Sequence, residues 1–299
     1  MENYVPWESH PIEDCYHIYS DGTRTSVLFE NPQDMVFARN LIAVLAFKYH
    51  VRVYCDVIMD THLHLVANGR REDIERFKNE LKSLLTRYFK HTGRPYLLKE
   101  GIVIVADPLP TDLEVLRKII YDFRNPMDAG FPYLPEEYPW GVGRVFFQKD
   151  TAVAARRVKD LSIDERRALF HTREKIPEDW EVDESGMILP RCYIDIDAVH
   201  ALFGTPKRYL SFLFVRKKDI TEQDVQCARA FLEMRGDREL RAEADEEASR
   251  LFNRPVRKLT QAERIQVAAL LWQNRRTLSR RQLARSVRMS PALIEAVFH

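Results

Sequence analysis

The stretch Asp60-Thr61-His62-Leu63-His64-Leu65-Val66 places polar and apolar side chains in near alternation. Residues two apart on a β-strand point the same way. The stretch therefore reads as a short strand with Leu63 and Leu65 turned to a core and His62 and His64 sharing the other face. Two neutral imidazoles side by side make a bidentate grip on a divalent metal. A half-buried strand with two unconnected histidines fits the same spacing. Asp60 lies two residues before His62, so on a regular strand it shares that face as a ligand, an outer partner or a solvated carboxylate.

About sixty residues on, Leu116-Arg117-Lys118-Ile119-Ile120-Tyr121-Asp122-Phe123-Arg124-Asn125-Pro126 reads as the end of a helix. Thr111 or Asp112 is its expected N-cap and Pro126 its expected stop. Leu113, Leu116, Ile120 and Phe123 recur at helical spacing and define a core face. Tyr121 falls off that stripe, on a polar face with Arg117, Lys118, Arg124 and Asn125. An interfacial tyrosine with a wet hydroxyl is the bland account. The other account is a nucleophile, since a phenol attacks only when nearby cations or a metal-oriented substrate assist it.

With these motifs in hand, the chain resembles the REP-associated tyrosine transposases, which belong to the HUH single-tyrosine transposases of the insertion-sequence type. The resemblance rests on Tyr16-His17-Ile18, Val57-Ile58-Met59 leading into His62-Leu63-His64, Tyr121 to Pro126, Ala129-Gly130, and Pro135-Glu136-Glu137-Tyr138-Pro139-Trp140. These cover roughly the first half of the chain in the family's order. The chain departs from the family in having Asp60-Thr61 where Pro-Asn usually precedes the first histidine. The resemblance implies a transposase that nicks and rejoins single-stranded DNA through a 5′-phosphotyrosine. It also implies Tyr121 as nucleophile, His62 and His64 as metal-binding histidines, and Asn125 as a third, helix-borne ligand. A mixed imidazole and amide site suits Mg²⁺ or Mn²⁺ better than structural zinc. Arg117, Lys118 and Arg124 are candidates for holding flanking phosphates, beside the plainer reading as solvated charges. The implied partner is single-stranded DNA with hairpin or repeat structure, with a homodimer left open. A DNA-binding or regulatory protein that has lost cleavage, and an HUH replication initiator or relaxase, are the alternatives.

The expected fold class is α+β. Strands are expected at Cys15 to Ser20, Ser26 to Glu30 (after a turn at Asp21-Gly22), Val51 to Met59, the histidine stretch and Gly101 to Ala106. Helices are expected at Asn31 to His50, with Phe37, Leu41, Leu45 and Phe47 among its apolar residues, and at Arg71 to Thr92. The latter is expected to turn Ile74, Phe77, Leu81, Leu84, Leu85 and Tyr88 inward and to close at Gly93. That order is the order of a ferredoxin-like sandwich, the fold the resemblance implies. The solvent side of the second helix carries Arg76, Lys82, Arg87 and Lys90.

Three divisions are expected: residues 1–149 as the catalytic domain, 150–250 as a mostly helical connecting region without a catalytic constellation, and 251–299 as a basic helix-turn-helix-like domain. In the last, Thr260 caps a helix with Ile265, Ala268, Ala269 and Trp272 inward, and Ser279 caps a second through Leu283, Ala284 and Val287. Ser290-Pro291 starts a third, with Ala292, Leu293, Ala296, Val297 and Phe298. That final helix offers only Glu295 and His299 as polar groups for base edges. Arg275, Arg276, Arg280, Arg281 and Arg285 are therefore read as phosphate anchors rather than sequence readers.

At 299 residues the chain can build more than one core, and 46 basic against 45 acidic residues give a net charge of +1. No global basicity advertises nucleic acid. The charge is segregated instead, with Glu239 to Glu247 acidic and the tract from Arg254 to Arg288 strongly basic. Four scattered cysteines form no CxxC pair and indicate neither zinc nor disulfides. With no signal peptide or long apolar run in the sequence, a cytoplasmic protein without a membrane role is expected.

Overall fold

The computed structural model describes residues 14–20, 27–94, 102–148, 152–172, 174–215, 220–226, 237–274 and 278–298. The expected turn at Asp21-Gly22, and Arg275, Arg276 and His299, lie outside the described residues. The chain divides into two compact units, Met1–Val225 and Gln226–His299.

The first unit begins with β1 (Cys15–Ser20), α1 (Pro32–Lys48), β2 (Arg52–Ile58), β3 (Leu63–Asn68), α2 (Arg71–His91), β4 (Ile104–Leu109) and α3 (Asp112–Asp128). The four strands form one sheet in the order β2-β3-β1-β4, every neighbouring pair antiparallel. Its two faces can be told apart by single contacts. Asp56 of β2 meets Arg39 of α1, whereas the next residue back, Cys55, meets Asp122 of α3. Alternation along the strand thus puts α1 on one face and α3 on the other. Ile74, Phe77, Leu81, Leu85 and Phe89 of α2 are buried, each such side chain contributing about 1.5–3 kcal/mol.

Several expectations shift in register. The histidine strand starts at Leu63 rather than Asp60, because the Met59 N–H donates to the His62 carbonyl (2.7 Å) and closes a tight β2–β3 turn over Asp60 and Thr61. Val27 to Glu30 do not form a strand; the Leu28 and Phe29 N–H groups both donate to the Asp60 carbonyl, at 2.7 and 2.9 Å. Helix α3 is not stopped by Pro126 but runs to Asp128 and ends at Gly130, whose φ of 86° takes the left-handed conformation glycine tolerates. Phe47, expected among the apolar residues of α1, is 39% exposed.

Helix α1 is instead buried nearly all round, with Asp34, Arg39 and Asn40 among its buried residues. The cause is the segment after α3. It holds β5 (Arg156–Arg157), α4 (Ile163–Phe170), β6 (Glu181–Val182), α5 (Ile196–Phe203) and α6 (Pro206–Phe214). Val158, Leu161, Phe170, Ile176, Trp180, Val182 and Ile188 build a small core on Ala43 and Val44, the outer side of α1. Asn40 serves this segment at both ends of its amide: Nδ2 donates to the Gly186 carbonyl at 2.9 Å, and Oδ1 accepts the Ile188 N–H at 2.7 Å. Tyr193 donates its hydroxyl to Asp56 Oδ2 (2.5 Å), opposite the Arg39 guanidinium on Oδ1 (2.9 Å).

The second unit packs α7 (Asp237–Phe252), α8 (Gln261–Asn274), α9 (Arg280–Ser286) and α10 (Pro291–Val297) around Leu240, Ala244, Val267, Leu271, Leu283, Val287 and Ile294. Thr260, Ser279 and Ser290 accept the backbone N–H three residues on, as helix caps do. On α8 the fully buried positions are Val267, Ala268 and Leu271, and on α10 Ile294, while Val297 is 42% exposed. Ala268, Leu283, Ala284 and Val287 are buried as expected, while on α8 Val267 and Leu271 take the places expected of Ile265 and Ala269.

Asp56 is wholly buried and depends on two partners. Arg39→Met should lower unfolding free energy by about 3–5 kcal/mol, since it strands a buried charge. Tyr193→Phe should cost about 1.5–3 kcal/mol. Urea titration measures both; a neutral Tyr193→Phe would show that this bond does not brace the segment onto the sheet.

Candidate metal and nucleophile site

The side chains of interest lie between the α3 face of the sheet and α3 itself. The β1–β3 register pairs Tyr19 with His64 and His17 with Val66, so His17 and His64 are diagonal neighbours on this face. Their rings stack at 14° with centroids 5.4 Å apart. His64 is only 5% exposed because α3 lies over it, so the face it shares with His62 is covered rather than open. His62, one residue outside the strand, still reaches the same place, with its ring 4.7 Å from that of His64 and at 88° to it.

Asn125 joins them from α3. Its Nδ2 stands 2.5 Å from His64 Nε2 and 3.5 Å from His62 Nε2. A half-turn of the carboxamide exchanges Nδ2 for Oδ1 at the same point, and an oxygen facing two bare ring nitrogens is a metal donor set. The other ring nitrogens are engaged elsewhere: His62 Nδ1 is 2.8 Å from Thr61 Oγ1, and His64 Nδ1 is 3.3 Å from His17 Nε2. Both Nε2 atoms are thereby presented to one point. Burial pushes His64 down to about 4, against the opposing pull of the Asp122 carboxylate, so the ring is neutral near pH 7. A neutral imidazole is the form that binds metal. The residues thus fit a divalent ion held by two nitrogens and an amide oxygen.

Tyr121 stands one turn before Asn125. Its ring lies 5.8 Å from that of His64, edge to face, and the residue is 43% exposed. Burial, then the Asp122 and Asp128 carboxylates, push its phenol above the ordinary value. Lys118 is the α3 cation that meets the phenol, with Nζ 5.1 Å from the ring centroid. Arg117 and Arg124 are turned to the backbone instead. Arg117 Nε donates to the Ile220 carbonyl at 3.1 Å, and Arg124 Nη1 to that of Val215 at 2.8 Å. On the second unit Arg280, Arg281 and Arg285 are exposed, and Arg280 Nε donates to the Phe298 carbonyl at 2.7 Å.

Sequence reasoning missed the layer behind the histidines. His17, His64 and Asp122 are all buried and lie close enough to hold a metal. Asp122 Oδ2 takes the Cys55 thiol at 3.7 Å. The signal was present: Asp122 falls three residues after Ile119 and seven after Val115, on the apolar stripe of α3, where an acid needs a reason. Asp60 is not part of this cluster; its backbone carbonyl holds Leu28 and Phe29.

No family model matches the chain, and no curated protein matches it in sequence. Among solved structures it is similar to a REP-associated tyrosine transposase bound to a REP hairpin. The two share 16% identity and a TM-score of 0.36, over 61% of this chain and 93% of the other. A likeness that distant fixes no residue's role; the geometry of the site bears on function by itself. Among the described residues, no helix is long and apolar enough to cross a membrane.

Because the shift on Tyr121 is upward, its hydroxyl should stay protonated beyond the usual phenol range near pH ~10. The absorbance difference between the metal-free protein and Tyr121→Phe should titrate above that value. A midpoint below it would mean that the Lys118 charge outweighs burial.

Proposed function

We propose that the chain is a metal-dependent transposase of the HUH single-tyrosine kind, cutting and rejoining single-stranded DNA on a ferredoxin-like domain. The observation that carries this reading is the meeting of His62 Nε2, His64 Nε2 and the Asn125 amide beside the Tyr121 ring. A protein that only binds DNA has no use for that convergence.

His62, His64 and Asn125 would hold Mg²⁺ or Mn²⁺, which when bound supplies Lewis-acid polarisation of a phosphodiester and leaves coordination positions for its oxygens. Tyr121 presents its hydroxyl from the same helix that carries Asn125, so nucleophile and amide are oriented together. The Tyr121 oxygen gives up its proton and forms a bond to phosphorus as the bond to the 3′-oxygen breaks, and the leaving 3′-oxygen takes up a proton, so that a 5′-phosphotyrosine and a free 3′-hydroxyl result. The 3′-hydroxyl can later reverse the step. Lys118 lies where it can offset negative charge near the phenol. In the second unit, the tight turn at Val287-Arg288-Met289 between α9 and α10 suits a helix-turn-helix. Its exposed arginines are Arg280, Arg281 and Arg285 on α9 and Arg288 in the turn, and the outer face of α10 offers mainly Ala292, Glu295, Ala296 and Val297. Arg281 and Arg285 are accordingly assigned to phosphate contact.

Incubation with a hairpin-flanked labelled single strand and Mn²⁺, followed by a denaturing gel, should give a covalent protein–DNA adduct that Tyr121→Phe abolishes. Binding without an adduct in the wild-type protein would leave a non-cleaving DNA binder as the reading. His62→Ala and His64→Ala should each lower cleavage at least ~100-fold and remove its response to Mn²⁺. Full Mn²⁺-dependent activity in either variant would displace the metal from these residues.

Replacing Arg281 and Arg285 together with alanine should flatten the slope of log K against log salt by about 0.7–0.9 for each phosphate that is no longer neutralised. An unchanged slope would reduce α9 to a structural part.

A further inference from the structure

We infer that Tyr19 is the platform on which an unpaired base of a single DNA strand stacks, beside the metal and nucleophile site. The inference rests on the single-strand reading above and adds to it where the strand lies.

The sheet register places this ring. Tyr19 follows His17 by two residues on β1, so its side chain points to the α3 face, where His17 meets Asp122. Tyr19 pairs with His64 of β3 on one side and with Val105 of β4 on the other. Its ring centroid is 4.7 Å from that of His17, at 19°, and 6.4 Å from that of His64. His17 thus backs the ring from the interior, and a histidine of the candidate site flanks it.

Helix α3 covers this face unevenly. Toward its end, Asn125 sits on His62 and His64, on the β2–β3 side of the sheet. The β4 side is more open there. Leu109, at the end of β4 from which α3 starts, is buried, whereas Val105 is half-buried and Val103 exposed. Tyr19 is itself half-buried, so with Val105 it makes a half-open apolar shelf next to His64.

The occupant that suits this shelf is a flat apolar face tied to a phosphate. Proteins that hold single strands stack bases on aromatic rings, because every base has a π-face. Lys118, over the Tyr121 ring, is the nearby cation for a phosphate. Asp107 is exposed on the same face of β4, two residues past Val105, and repels a phosphate from the shelf itself. A peptide strand added to the β4 edge is opposed by Pro108, which has no N–H to offer. A base on the shelf with its phosphate toward Lys118 meets all three conditions.

The test uses the full-length chain in EDTA and a hairpin-flanked single strand carrying 5-iododeoxyuridine at successive positions. Irradiation should cross-link one position to Tyr19, located by mass spectrometry of the digested adduct. A cross-link that maps elsewhere, or none at any position, overturns the inference without any variant. Tyr19→Leu should weaken strand affinity about 5- to 150-fold, the loss expected for one stacked base, and Tyr19→Phe should retain it. In Mn²⁺-dependent cleavage, Tyr19→Leu should raise KM more than it lowers kcat. Unchanged affinity in Tyr19→Leu overturns the inference, as does an equal loss in Tyr19→Phe, which would assign the effect to the hydroxyl. A wild-type protein that cross-links through Tyr19 yet forms no phosphotyrosine leaves this inference standing and removes the cleavage reading alone.

Discussion

Helix α3 can lie on its sheet only if a carboxylate is accommodated in the contact. Asp122 occupies an apolar-stripe position between Ile119 and Pro126, all three buried, so the helix brings an acid into a dry interface. Burying it is tolerable because β1, β2 and β3 meet it with His17, Cys55 and His64. The docking of α3 therefore fixes more than packing. It places Tyr121 and Asn125, on the neighbouring face of the same helix, over His62 at the end of the β2–β3 turn and His64 on β3.

The α3 arginines illustrate how position on a helix fails to settle use. Arg117 and Arg124 share the polar side with Tyr121, and both looked suited to phosphate. Their guanidinium groups hold the carbonyls of Ile220 and Val215, more than ninety residues away in the chain. They tie the end of the first unit down beside α3. Lys118, between them, is the one that meets the phenol ring.

What could be read in advance follows from how local each signal is. The caps at Ser279 and Ser290, and that of α3 at Thr111 or its neighbour Asp112, were legible because a side chain and a backbone N–H three residues on decide them. The order of strands and helices was legible because the apolar period changes from two to about 3.6 along the chain. The pairing of His62 with His64 was legible for the same reason, though the turn moved the strand's start to Leu63. The burial of α1 on its outer side was not, because Trp180 and Ile188, which cover it, come more than 130 residues later. Nor was the fate of Leu28 and Phe29, whose strand-like composition gave way to two backbone bonds to Asp60. His17 and Asp122 escaped notice because each looks ordinary alone; only the sheet register and the helix contact unite them.

The Asn40 carboxamide has a consequence for how the molecule can be divided. It binds Gly186 and Ile188 from inside α1, so cutting the chain after Trp140 would leave that amide, together with Ala43 and Val44, facing water. The half that carries His62, His64 and Tyr121 is not a detachable module. Proteolysis or engineering that separates it from residues 152–215 removes the outer wall of its own first helix.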